Sequence, residues 1–235
     1  FAVAPGTVVG NVGSFTTPDG TTVTGTGVKL DVTGQYLEIN GTGAADPANP
    51  GYVTVSAAAL EAIGAGSILI GGTRALTPDG LLITPTANNI IVAGNADLEA
   101  GEIMLVAKPK LSGSATTLTL DGLGTGADQM TVTLPDVTTG SILVQSGAIV
   151  RASGAVRSES SNILIGVDLS TLPDLSGQYT VSEARATGPG TLRANIQSYY
   201  ADLIASMAGF VRVSNGTVAS VQTPTYAELT PKISV

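Results

Sequence analysis

Ser67-Ile-Leu-Ile-Gly71, Ser141-Ile-Leu-Val144 and Asn162-Ile-Leu-Ile-Gly166 are the stretches on which the fold turns. Each is a short, continuously apolar run headed by a small polar residue. Alternation of apolar and polar residues marks a strand with one wet face, whereas an unbroken run suits a strand buried on both faces, as parallel strands usually are. The likeness of the three is what stacked coils with aligned apolar ladders produce, and it predicts that such coils repeat.

Working outward, similar runs follow one another at short intervals. They include Val53-Thr-Val55, Leu81-Leu-Ile83, Ile90-Ile-Val92, Ile103-Met-Leu-Val106, Leu118-Thr-Leu120, Met130-Thr-Val-Thr-Leu134, Ile149-Val150 and Val211-Arg-Val213. Gly, Asn, Asp, Pro and Ser separate them. Many short strands between turn residues predict an all-β fold, either a parallel β-helix or an antiparallel β-sandwich. Hairpin dipeptides are sparse. Asn40-Gly41 and Asn215-Gly216 are present, and Pro18-Asp19-Gly20 and Pro78-Asp79-Gly80 mark turns. That sparsity and the unbroken runs favour the β-helix, and the whole of 1–235 reads as one β-rich solenoid segment.

Two segments depart from the strand pattern. Ser56-Ala-Ala-Ala-Leu-Glu-Ala-Ile63 predicts two helical turns, capped by Ser56 and stopped by Gly64. Residues 192–208 carry Ile196, Tyr199, Leu203, Ile204 and Met207 at helical spacing and close on Gly209. This helical excursion either packs on the core or docks at a surface, and its shortage of basic residues favours packing. Asp121-Gly-Leu-Gly-Thr-Gly-Ala-Asp128 reads as a loop. It lacks the Lys-Ser/Thr pair that would close a phosphate-binding loop.

Composition narrows the function. Among 235 residues, 43% are hydrophobic and 12% charged, and there is no His, Cys or Trp. Without His and Cys, no Ser-His-Asp or Cys-His site and no thiolate or imidazole metal site can be built. A net charge of −8, with the ten basic residues scattered, disfavours nucleic acid and anionic lipid as partners. No apolar run approaches the roughly 20 residues of a membrane span, so no membrane insertion is expected. The chain opens on Phe1 rather than Met and reads as part of a longer precursor.

Tyr36-Leu-Glu-Ile39, Gly51-Tyr-Val-Thr-Val55, Ala57 to Gly64 and Ser67 to Arg74 follow one another in order. Asp79-Gly80, Asn88-Asn-Ile-Ile-Val92, Leu98 to Ala107 and Gly147 to Gly154 come next, and Gly209 to Gly216 resembles the opening of a further coil. In this order the stretch from about Gly34 to Ser153 resembles the passenger of filamentous-haemagglutinin-like proteins, bacterial surface proteins exported by two-partner secretion. The resemblance covers roughly half the chain. It implies a right-handed parallel β-helix, an extended rod, a secreted or cell-surface location, an outer-membrane transporter during export, and adhesion or contact between cells. It supplies no catalytic residues and no cofactor. The chain departs from that family in lacking a clear secretion-signal domain and in its two helical excursions.

An enzyme acting on polysaccharides would need clustered carboxylates. The 18 acidic residues are dispersed, and no enzymatic activity is expected. The tightest group, Asp97, Glu99 and Glu102, reads as a loop before a strand. It is either a weak Ca²⁺ site or a solvated turn, the latter being favoured. Tyr199-Tyr200 is the one adjacent pair of tyrosines, and on a helix one ring of such a pair packs while the other is exposed. Glycans or the surface of a host or neighbouring cell are the expected ligands of an adhesin.

Self-association is expected as well. Phe1, Val3, Val8 and Val9 at one end and Ile233 and Val235 at the other form short apolar tails that could complete a neighbour's sheet. A structural or adhesive stalk is therefore the leading expectation. A filament- or pilus-forming subunit built by terminal strand addition is the alternative, and a polysaccharide-acting β-helix enzyme is the more distant one.

Overall fold

A computed structural model of the chain describes residues 14–24, 27–121, 129–154, 162–167, 200–213, 219–220 and 225–228. Strands dominate it, and the fold is all-β. Strands β1 (Ser14–Thr16) and β2 (Thr22–Thr24) form a hairpin closed by the Pro18-Asp19-Gly20 turn, where Gly20 adopts φ 84°. Then come β3 (Lys29–Val32), β4 (Tyr36–Asn40) and β5 (Val53–Ser56). Helix α1 (Ala57–Ala62) follows at once. The Ser56 side chain accepts its Ala59 N–H, and Gly64, at φ 68°, lies just past its end, as the sequence predicts.

Strand β6 (Ser67–Ile70) leads into a hairpin of β7 (Gly72–Thr77) and β8 (Gly80–Pro85), turning at Pro78-Asp79. Next are β9 (Asn89–Val92), β10 (Asp97–Ala100) and β11 (Glu102–Ala107). A long hairpin of β12 (Lys110–Asp121) and β13 (Gln129–Thr138) intervenes before β14 (Ser141–Val144) and β15 (Ile149–Ala152). Strand β13 contains the run Met130-Thr-Val-Thr-Leu134, as the sequence predicts. Residues 122–128 lie outside the described residues. The remaining elements are β16 (Ile163–Val167), a helical stretch at 200–206, β17 (Gly209–Val213), β18 (Ala219–Ser220) and β19 (Thr225–Glu228).

The central strands form three parallel, in-register series. The first is β3–β6–β11, pairing Leu30 with Ile68 and Ile68 with Ile103. The second is β5–β4–β9–β14, pairing Val53, Leu37, Ile90 and Ile142 in one row. The third is β10–β15, pairing Leu98 with Val150, and α1 lies against β10. After β3 the chain enters the second series twice running, at β4 and β5, and then makes two passes in the order first, second, third: β6–β9–β10 and β11–β14–β15. Antiparallel pairing is confined, among the described residues, to the three hairpins and to β17 and β18, which extend the first series beyond β11.

One core is shared by all three series. Leu37, Ile39, Ile68, Ile70, Ile90, Leu98 and Ile103 are each 0% exposed within it. A second core lies on the other face of the first series. There Leu69, Met104 and Val106 meet Leu81 and Ile83 of β8, Ile163 and Ile165 of β16, and Ala201 and Ala205 of the helical stretch. This two-sided burial accounts for the unbroken runs Ile68-Leu-Ile70 and Ile103-Met-Leu-Val106. Even positions fill one core and odd positions the other, or the reverse. Each buried Leu, Ile or Met contributes roughly 1.5–3 kcal/mol relative to exposure.

The three similar Ile-Leu stretches do not stack on one another, contrary to the expectation from their likeness. Residues 67–70 lie in the first series, 141–144 in the second, and Ile163–Val167 pairs with β8 and β19 in a separate sheet. What stacks is less alike: Lys29-Leu-Asp-Val32 on Ser67-Ile-Leu-Ile70 on Glu102-Ile-Met-Leu105. Corners are equally specific. Gly71, at φ 96°, takes the chain out into the β7–β8 hairpin. Its carbonyl accepts from the N–H of Thr86 and Ala87, the residues that bring the chain back.

Candidate functional site

A polar network runs along the outer face of the first series, and no segment of the sequence shows it. Asp31 of β3 points outward between the core residues Leu30 and Val32. Arg74 reaches it from β7, with Nε 2.6 Å from Oδ1 and the backbone N–H donating to Oδ2 at 2.9 Å. The same guanidinium donates to Ser67 Oγ at 2.6 Å, to the Leu30 carbonyl at 2.8 Å and to the Ser67 carbonyl at 3.1 Å. Ser67 Oγ in turn donates to Glu102 Oε2 at 2.9 Å. Arg212 of β17 closes the chain, with Nε and Nη2 2.8 and 2.7 Å from Glu102 Oε1.

Two carboxylates and two guanidiniums thus balance across β3, β6, β7, β11 and β17. Burial is deepest at Glu102, Arg74 and Arg212, whose side chains are 2%, 6% and 11% exposed, and is less at Asp31, which is 24% exposed. Ions so far from water persist when each is paired and its remaining hydrogen-bonding positions are filled, and the planar guanidinium suits that task. Ser67 is 1% exposed, so its hydroxyl meets a carboxylate and an arginine rather than a substrate. The network is a clamp in the sense that its side chains join β3, β6, β7, β11 and β17.

A second buried carboxylate, Glu38, lies on the outer face of β4. Its oxygens accept from Asn40 Nδ2 at 3.2 Å and Asn49 Nδ2 at 3.0 Å. Asn40 also accepts from the N–H of Thr42 and Gly43 and donates to the Ala44 carbonyl. Together they fold the 41–52 loop back onto the strand. This brings Tyr52 to Tyr36, their ring centroids 5.6 Å apart and edge to face. Asn89 Nδ2 donates to the Tyr52 hydroxyl at 3.0 Å. Tyr36 is 40% exposed and presents its ring to solvent.

The sequence-predicted residues fall elsewhere. Asp97 and Glu99 lie on β10, a strand rather than a loop, and pair with Arg151 of β15 at 3.5 and 3.0 Å. Glu102 is not with them. It lies on the outer face of the first series, held by Ser67 and Arg212, so the suggested Ca²⁺ set does not come together. No group of three or more His, Cys, Asp or Glu among the described residues could hold a metal ion. Glu61 of α1 also approaches β10 and accepts the Glu99 N–H at 2.8 Å. Burial, chiefly, and the nearby Asp97 and Glu99 charges raise its pKa.

Of the tyrosine pair, Tyr200 is 1% exposed and donates to the Pro135 carbonyl at 2.6 Å. Tyr199 lies outside the described residues, as do 192–198 and the tail residues Phe1, Val3, Val8, Val9, Ile233 and Val235. Among the described residues, no helix is long and apolar enough to cross a membrane.

Sequence reading missed the clamp because its members are far apart in the chain. A signal was present. In a chain with 12% charged residues, Asp31, Glu38, Glu102 and Arg212 each interrupt or head an apolar run, and a charge in such a place needs a partner. Comparison of the chain with protein-family models, with curated proteins and with solved structures finds no match.

Proposed function

We propose that the chain is a parallel β-helix, a stalk segment of an exported bacterial surface protein that carries adhesive contact between cells. One observation carries the reading. The second series stacks four strands in parallel register, and two successive passes of the chain, β6 to β9 to β10 and β11 to β14 to β15, visit the three series in one order. Glu99 and Arg151, paired in adjacent layers, are 52 residues apart, and the long β12–β13 hairpin lies within that interval. Such an arrangement buries a continuous core and grows by repetition, which suits a rod. The handedness, the surface location and the adhesive role are the expectations of the family resemblance, and the low charge of the chain accords with them.

The fold is tested by NMR, where backbone contacts between β9 and β14 in parallel register are expected. The role is tested by antibody labelling of intact cells and by adhesion of cells to surfaces coated with the chain. Labelling that requires permeabilised cells overturns the surface location, and adhesion no greater than to an uncoated surface overturns the contact role. Turnover of acidic polysaccharides would overturn the non-enzymatic reading. The alternative of a filament-forming subunit keeps its place because of apolar residues exposed at the ends of the stack.

A further inference from the structure

The described residues include eight large hydrophobic side chains that are exposed, and their placement is uneven. Val28, Tyr36 and Val53 lie at or beside the edge strands β3 and β5, on one end of the parallel series. Leu143, Val144 and Ile149 lie on β14 and β15, the strands at the other end. Leu76 and Leu111 alone fall on the hairpins.

Val53 and Val144 are the most telling. Val53 stands in the same row as the core residues Leu37 and Ile90, and Val144 in the same row as Ile39 and Val92. Both therefore occupy core-facing positions, yet they are 57% and 47% exposed. The Leu37 row thus runs out into solvent at the β5 end and the Ile39 row at the β14 end, while Val55 at the β5 end stays 3% exposed.

We infer that the two ends bind each other in successive copies of the chain, the β14 edge of one copy receiving the β5 edge of the next. The occupant follows from the sheet. β14, β9, β4 and β5 all run parallel, so moving a copy along the stack places its β5 beside β14 in the direction a further strand would take. The contact joins unlike surfaces and does not close on itself, so it propagates into a linear filament. It rests on the β-helix reading of the preceding section. It differs from strand exchange by the terminal tails, because both contact edges belong to the folded stack. With a net charge of −8 on every copy, assembly strengthens as salt rises.

Sedimentation velocity and negative-stain microscopy of the whole chain test this. The wild type is expected to form rods that lengthen with concentration and with salt. Val53→Lys blocks one end and Val144→Lys the other, and each is expected to sediment as a monomer. An equimolar mixture of the two is expected to form dimers, since one open end of each kind remains. Leu143→Lys, at an outward-facing and exposed position, serves as a second block of the β14 end that spares the core row.

A wild type that stays monomeric at high concentration and high salt overturns the proposal, as do variants that polymerise like the wild type or a mixture that fails to pair. If the β9–β14 NMR contacts persist in a monomeric wild type, the stacking has failed and the β-helix stands. If the contacts are absent, the β-helix itself has failed.

Discussion

Ser67-Ile-Leu-Ile70 and Ser141-Ile-Leu-Val144 differ by a single methylene group, yet they live in opposite surroundings. All four residues of β6 are buried, and Ile68, Leu69 and Ile70 are each 0% exposed. In β14, Leu143 and Val144 are 50% and 47% exposed. The difference lies in the neighbours. β6 has β3 on one edge and β11 on the other, the common core on one face, and β8, β16 and the 200–206 helical stretch on the other face. β14 has β9 on one edge and stands at the end of its sheet. A strand's own residues specify that it is extended and apolar. Which of its faces are covered is decided by segments far away in the chain.

The contrast is broken or upheld most sharply at Glu102. Glu102→Ala leaves Arg212 and Ser67 facing each other in a buried site without their carboxylate. A loss of about 3–5 kcal/mol is expected in urea unfolding, the usual cost of removing one partner of a buried ion pair. Glu99→Ala removes the carboxylate that pairs with the exposed Arg151 and is expected to cost below about 1 kcal/mol. Equal losses at the two positions would show that the outer face of β6 and β11 is no more closed than the surface of β10.

The same contrast holds for apolar side chains of one type. Leu69→Ala opens a cavity in the second core and is expected to cost about 2–5 kcal/mol. Leu143→Ala trims a half-exposed side chain and is expected to cost below about 1 kcal/mol when measured on monomer. A large loss at Leu143 would mean that β14 is covered as β6 is.

Much of the local structure is legible in the sequence, and the long-range structure is legible only in part. The Ser56 cap and Gly64 stop define α1 because capping is settled within one turn. The turns at Pro18-Asp19-Gly20 and Pro78-Asp79-Gly80 are likewise local. The parallel pairing follows from the unbroken apolar runs, but its partners do not. Hairpins of unequal length, β7–β8 and β12–β13, leave the chain between the first and second series and blur the spacing of the strands that pair. They also made chance likeness among Ile-Leu stretches look like the repeat. The clamp is the hardest case. Arg74 and Asp31 are 43 residues apart and Arg212 and Glu102 are 110, so no window along the chain contains them. The Tyr36–Tyr52 pair is hidden in the same way by the 41–52 loop, which Glu38 and Asn40 fold back.

A smaller effect is expected at the corner between the second and third series, where the layers touch through backbone. A Cβ on Gly94 would stand 2.5 Å from the Ser146 carbonyl oxygen in the layer of β14. Gly94→Ala is expected to cost about 1–3 kcal/mol, since backbone has to shift to admit it. Gly113, in the bulged part of β12, has nothing within 4 Å of its Cβ position, and Gly113→Ala is expected to be close to neutral. Thermal unfolding of the two variants separates a corner that carries the stacking from a hairpin that hangs outside it. A neutral Gly94→Ala would mean that the layers are looser at this corner than on the first series.

The smallest effect concerns what holds the cover over β6. Tyr200 opens the described helical stretch whose Ala201 and Ala205 pack on the second core, and its hydroxyl ties that stretch to the Pro135 carbonyl of β13. Tyr200→Phe removes one hydrogen bond and is expected to cost about 1 kcal/mol at neutral pH. Burial, chiefly, and then the Asp136 charge raise the phenol's pKa above its ordinary value of about 10. The folded state therefore holds this proton more tightly than the unfolded chain does. Its contribution is intact below about pH 10 and is lost as pH rises through the raised folded value. Wild type and Tyr200→Phe are thus expected to converge in stability as pH rises above about 10. Asp136→Asn shifts that convergence to lower pH, because it removes a charge that raises the folded pKa. Parallel curves over the whole range would show that the hydroxyl is open to water, and that the cover distinguishing β6 from β14 is not anchored through Tyr200.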